Sequence, residues 1–164
     1  MTIVLEDVQR ILGLEVLGKA VKEGDDCKEL GWDKIYELTK KLFGWDKETT
    51  MANMYKTDRT RTKTITFVNL VRLFGNMEGR ESNPEQVRQT AAAYLLFTLG
   101  SVIFPDANGN MVHMNYLQYL DPLDRVHEYS WGTSFLAHFL AEMRRASKAN
   151  AHQFNSSFTL IQVQ

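Results

Sequence analysis

Large apolar residues recur at helical spacing most densely between Pro84 and Lys148. Asn83 is a good N-cap, Pro84 suits the first helical position, and Gln86 sits where a capping box wants Glu or Gln. Val87, Ala91, Tyr94, Leu95, Thr98, Leu99 and Val102 follow at three- and four-residue steps, and Ala92, Ala93, Leu96, Phe97, Ile103 and Phe104 fill the other side. A helix apolar nearly all round predicts burial. Thr98, Gly100 and Ser101 interrupt the run, which is barely long enough to span a bilayer, so a core helix is expected rather than a membrane span. Pro105 and Asn108-Gly109 stop it. A second helix begins at Ser130, its predicted cap, with Trp131, Phe135, Phe139 and Met143 in one stripe and Leu136 and Leu140 beside it. Glu142, Arg144, Arg145 and Lys148 lie on its wet side, and the cations suit the helix C-terminus. This amphipathic helix is expected to dock on the first.

The rest of the chain reads as smaller pieces packed onto that pair. Residues 2–13 predict a short helix capped by Thr2 or a neighbour, with Val4, Val8, Ile11 and Leu12 on one face and Gly13 as a left-handed stop. Residues 14–21 suggest a short extended pattern, the place for a minor strand pair, and residues 22–29 a polar loop. Asp33 is positioned to cap a helix with Ile35, Leu38, Leu42 and Phe43 inward, ended by Gly44. Residues 45–54 are ambiguous. Residues 55–64 lack apolar periodicity and predict an exposed loop. Thr64 or Thr66 then caps a helix with Phe67, Leu70, Val71 and Phe74 inward, and Gly75 to Asn83 form a charged linker. Tyr116, Leu117, Tyr119 and Leu120 predict a short helix ended near Pro122, with Asp121 and Asp124 as capping or turn residues. The expected fold is therefore mainly α, a single multi-helix globular domain with at most a small β element.

Composition narrows the function. The chain has 164 residues, 44% hydrophobic and 24% charged, enough for one domain with a sizeable core. A formal net charge of −1 gives no global attraction to nucleic acid or anionic membrane. One cysteine, Cys27, excludes an internal disulfide and a cysteine-rich zinc site, and no base beside it would activate the thiol. His113, His127, His138 and His152 form no HExxH motif; His113 reads as a structural hydrogen-bonding residue and His138 as a packed one. Asp106, Asn108 and Asn110 mimic the first ligands of an EF-hand loop. Met111 stands where its glycine belongs and Leu117 where its glutamate belongs, so an Asx-rich turn is expected instead. No P-loop, GxGxxG or GxSxG occurs. No metal or cofactor is expected. Basic residues gather at Lys56, Arg59, Arg61 and Lys63, with Asp58 the only acid among them, and again at Arg144, Arg145 and Lys148. These seven are the candidate nucleic-acid contacts, since cations and threonine hydroxyls both suit phosphate; a solvated loop and a helix end complementing its dipole are the favoured reading of the same residues.

Two ordered blocks carry a family resemblance. Phe104-Pro105-Asp106 with Gly109 and Val112-His113, then Tyr129-Ser130-Trp131-Gly132 and the helix after it, resemble the plant mobile domain (the MAIN-like family). Leu5-Glu6-Asp7-Val8, Ile11-Leu12-Gly13-Leu14 and Gly18 resemble its opening, with a diverged middle from about Asp46 to Gly79. On this resemblance Pro105, Asp106, Gly109, His113, Trp131 and Gly132 are structural motif residues, and residues 1–164 are a plant mobile domain trimmed at both ends. The apolar tail Phe158, Leu160, Ile161 and Val163 would then be a docking face. The resemblance implies a non-enzymatic nuclear module for protein interaction and DNA association, in transposon silencing, gene expression control and genome maintenance. The implied partners are other plant mobile domain proteins and a phosphatase-like relative, with weak nucleic-acid binding and no membrane. The label "aminotransferase-like" used for part of the family finds no support, since a pyridoxal enzyme needs a phosphate cup and a Schiff-base lysine in a larger α/β domain. The competing reading is a transposon-encoded accessory protein or a degenerate enzyme-like domain.

Overall fold

Asn83 organises the longest apolar segment by accepting hydrogen bonds from the backbone N–H of Glu85 (3.0 Å) and Gln86 (3.3 Å), and Pro84 occupies the first turn. The computed structural model describes residues 3–22, 28–106 and 109–148. Within them the helices are α1 (Leu5–Leu12), α2 (Trp32–Phe43), α3 (Lys47–Asn53), α4 (Phe67–Phe74), α5 (Pro84–Thr98) and α6 (Trp131–Ala146). A π-helical turn, Leu99–Ile103, extends α5, and 3-10 turns cover Met114–Tyr119 and Leu123–Glu128. Strands β1 (Thr64–Thr66) and β2 (Met111–His113) pair antiparallel, with Ile65 opposite Val112. The mainly helical domain with a very small sheet is the expected fold class.

The core forms where α2 and α4 pack on α5. Ile35, Leu38, Leu42 and Phe43 of α2, Leu70 of α4 and Ala92, Ala93 and Leu96 of α5 are buried. The sequence predicts α5 buried nearly all round, but one side of it faces out. Val87, Ala91, Tyr94 and Thr98 share one side of the helix, about half a turn from Leu96. Tyr94 is 71% exposed and Val87 and Val102 are also on the surface. Both sides are apolar, so periodicity alone could not choose between them. Val71 is likewise outward, 56% exposed, as are Val4 and Met143.

The π turn closes the core against the sheet. Gly100 is buried beneath β2, and a Cβ there would fall 2.5 Å from the Cβ of Val112 and 3.1 Å from the Phe67 ring. Only glycine lets backbone and strand approach this closely. The sheet is therefore built by residues 64–66 and 111–113. Residues 14–19 contribute a strap instead of a strand. Glu15 accepts the Gly132 N–H (2.7 Å), Val16 accepts the Thr133 hydroxyl (2.7 Å), and Lys19 accepts the Ser130 N–H (2.9 Å). The strap runs so near that a Cβ on Gly132 would sit 3.0 Å from the Leu14 and Glu15 carbonyl oxygens.

Several capping expectations change. Gly31, not Asp33, is the N-cap of α2, and Asp46 caps α3 through the Thr49 N–H (2.7 Å); Thr66, one of the two residues expected to cap α4, does so. Ser130 occupies the cap position of α6, but its hydroxyl donates to Lys19. Helix α6 packs on α1 and the π turn rather than along α5. Trp131 is buried among Tyr119 and Tyr129, and its indole N–H donates to Val126 (2.7 Å). Gly13 and Gly44 stop their helices at positive φ, as the sequence predicts. Residues 55–64 are a hydrogen-bonded hairpin rather than an open loop: Tyr55 and Thr64 pair by a 2.8 Å bond, and Thr57 and Thr60 close the tip. Thr2, Cys27, Asn108, His152 and the tail Phe158, Leu160, Ile161 and Val163 lie outside the described residues.

Two measurements follow from this packing. Gly100→Ala should lower stability by about 1–3 kcal/mol in urea denaturation, because the new methyl meets the Cβ of Val112 rather than a flexible end. His113 Nδ1 accepts the Asn115 N–H (3.1 Å), and burial pushes its imidazole pKa down, partly opposed by the Glu29 carboxylate. The folded state thus binds fewer protons than the unfolded chain, so stability should fall as pH drops through the ordinary imidazole value of 6.5. His113→Asn retains an acceptor for Asn115 without titrating there, and should flatten this loss in melts between pH 7.5 and pH 5.5.

Candidate functional site

Three surface features are candidates, and they differ in chemistry. The first is the basic hairpin. Tight hydrogen bonding between residues 55 and 64 fixes the directions of its side chains. Arg61 donates to the Met54 carbonyl (2.8 Å), and Lys63 pairs with Glu29 (2.8 Å) with its side chain only 21% exposed. That pairing holds the Glu29 carboxyl below its ordinary range. Lys56 and Arg59 remain on the surface. At the end of α6, Arg145 pairs with Glu142 (2.6 Å), while Arg144 and Lys148 are exposed. Five of the seven basic candidates are therefore exposed, Lys56 and Arg59 on the hairpin and Arg144, Arg145 and Lys148 at the end of α6, with Arg145 shared with Glu142. This reduces the number of phosphates either patch can neutralise.

The second is a small cleft of about 140 Å³ lined by Thr64, Phe104, Asp106, Met111, Val112, His113 and Tyr116. It brings Asp106 and His113 of the motif block to one place. Their contacts here are structural: Asp106 accepts the Gly109 N–H and shapes the turn, and His113 caps the 3-10 turn after β2. Pro105 directly precedes Asp106 and is half-buried. The cleft is below the ordinary size of a small-molecule site. Trp131 and Gly132 lie at the start of α6, where the Gly132 N–H holds the strap through the Glu15 carbonyl. Half-buried His138 meets the Phe104 ring edge-on, and His127 is exposed.

The third feature was not singled out from the sequence as a site. A groove of about 330 Å³ runs between α4 and α5, lined by Leu70, Val71, Phe74, Met77, Ala93, Tyr94 and Phe97 among others. Val68 on α4 is 79% exposed. No Lys, Arg, Asp or Glu occurs from Gln89 to Pro105, so the outer face of α5 continues the groove without charge over most of its length. A surface helix usually carries its charges on that face. The missing charges were the sequence signal, but they read equally well as a fully buried helix.

Among the described residues no three His, Cys, Asp or Glu side chains are placed to hold a metal ion, and no helix is long and apolar enough to cross a membrane.

The plant mobile domain family model matches residues 1–163. Curated relatives from Arabidopsis thaliana align over 99% of this chain: protein MAIN-LIKE 1 at 27% identity and protein MAINTENANCE OF MERISTEMS at 26%. The alignments cover 30% and 31% of those proteins, so the chain spans about a third of their length. Neither name is that of an enzyme. No solved structure matches the chain. The chain belongs to the plant mobile domain family.

Proposed function

We propose that this domain is a non-enzymatic interaction module acting in the nucleus, in transposon silencing, gene expression control and genome maintenance. Family membership supports the setting, and the uncharged groove between α4 and α5 supports the mode of action. Contiguous exposed apolar surface marks protein contact sites. The partners that fit the reading are other plant mobile domain proteins and a phosphatase-like relative. Each would place an apolar segment against Leu70, Val71, Met77 and Phe97. Nucleic acid is a secondary ligand, met weakly and without sequence preference by Lys56 and Arg59 and by Arg144 and Lys148. Arg145, exposed beside Arg144 and Lys148 despite its pair with Glu142, adds to the second patch, while Arg61 and Lys63 are tied to Met54 and Glu29.

Pull-downs from plant nuclei with tagged parent chain, Val71→Glu and Lys56→Ala/Arg59→Ala separate the two modes. In nuclease-treated extract the parent and the double variant should retain the same proteins, and Val71→Glu should lose them with an unchanged melting temperature. Binding of the parent to a short DNA duplex should weaken with salt at a slope near −2 if two phosphates are contacted at one patch. Capture that disappears with nuclease and tracks Lys56 and Arg59 would overturn the reading, because nucleic acid would then be the bridge.

A further inference from the structure

The outer face of α5 has a pattern that fits a copy of itself. Val87, Ala91, Tyr94 and Thr98 lie within a narrow sector of the helix, opposite buried Leu96. Thr98 donates its hydroxyl to the Tyr94 carbonyl (2.9 Å), so its hydrogen bond is satisfied within the helix. The stripe reads medium, small, large, medium. Turned end for end about a two-fold axis between Ala92 and Ala93, it places Tyr94 over Ala91 of the second copy and Val87 over Thr98. Both contacts then occur twice, as an isologous interface requires.

Charge agrees with this pairing. Glu85 and Arg88 are the only charged residues on α5, both near its start. In the antiparallel arrangement the two Arg88 positions stand about 13 Å apart along the helix axis. That exceeds the Debye length of about 8 Å at physiological salt. No like charges are brought together, and a charged partner finds nothing on the stripe to pair with.

We propose that this face is a homodimer interface, in which α5 of one chain packs antiparallel on α5 of a second. The inference rests on the reading of the domain as an interaction module and names one occupant for its apolar surface. One helix pair, with the edge of α4 beside it, is at the small end of specific interfaces, so the association is reversible and concentration-dependent.

Sedimentation of the parent chain, Ala91→Glu, Tyr94→Lys and an equimolar mixture of the two variants tests the register. Ala91 and Tyr94 are exposed, and glutamate and lysine are both good helix formers, so circular dichroism and melting temperature should stay close to the parent. The parent should show a monomer–dimer equilibrium. Each variant alone should be monomeric, because its new charge faces an uncharged residue twice. The mixture should regain dimer, since the carboxylate introduced by Ala91→Glu in one chain then meets the ammonium introduced by Tyr94→Lys in the other, while the remaining contact is native. A parent that stays monomeric up to millimolar concentration overturns the dimer. Variants that dimerise like the parent, or a mixture no better than its components, overturn this face or this register. Tyr94 belongs to both surfaces, but the two tests stay distinguishable, because sedimentation of the pure chain reads self-association alone and the pull-down through Val71 reads capture of other proteins.

Discussion

Gly100 and Val112 stand in direct contact where the π turn passes beneath the two-stranded sheet, with no room for a Cβ between them. This approach decides much of the architecture. It brings residues 99–104 under β2, which seats Phe104 and Ile103 in the core and holds Phe67 and the start of α4 against the same spot. It also commits the inner side of α5 to α2 and α4. Once Ala92, Ala93 and Leu96 are buried, the apolar residues on the opposite side must face out. The exposed stripe is thus a consequence of the closure, not an independent feature.

A second constraint operates at the other end of the domain. The strap of residues 14–19 feeds carbonyl groups to Ser130, Gly132 and Thr133 at the start of α6. Gly132 is small because those carbonyls pass over it, and Trp131 beside it fixes the 3-10 turn through Val126. The motif residues of the two blocks therefore share a physical role. They let backbone segments cross closely or satisfy the groups exposed by sharp turns, which gives glycine, aspartate and histidine a structural reason to stand at these places.

The fold was legible where a helix had one apolar face and a clear stop. Ile35, Leu38 and Leu42 with Gly44, and Asn83 with Pro84, announced their helices and ends. It was illegible where pattern was symmetric or the decisive contact was remote. On α5 both sides were apolar, so only tertiary packing could select Leu96 over Tyr94. The sheet pairs residues 64–66 with 111–113, a separation that carries no local signal. The hairpin at residues 55–64 is held by backbone bonds and by Arg61 on the Met54 carbonyl, which a scan for apolar periodicity overlooks. The same reasoning explains the candidate site. A cluster of cations was visible as a cluster, but the ion pair that ties Lys63 to Glu29 required the fold, and the groove required α4 and α5 side by side.

The central claim is that α5 uses one side for the core and keeps the other for contact. The most direct test compares Leu96→Ala with Tyr94→Ala by urea denaturation of the 164-residue chain, at a concentration too low for association. Leu96→Ala should cost about 2–5 kcal/mol, as for a fully buried leucine that leaves a cavity. Tyr94→Ala should change stability by no more than about 0.5 kcal/mol, as for a surface position. Equal losses at both positions, or a larger one at Tyr94, would contradict the account by showing that the outer side belongs to the core.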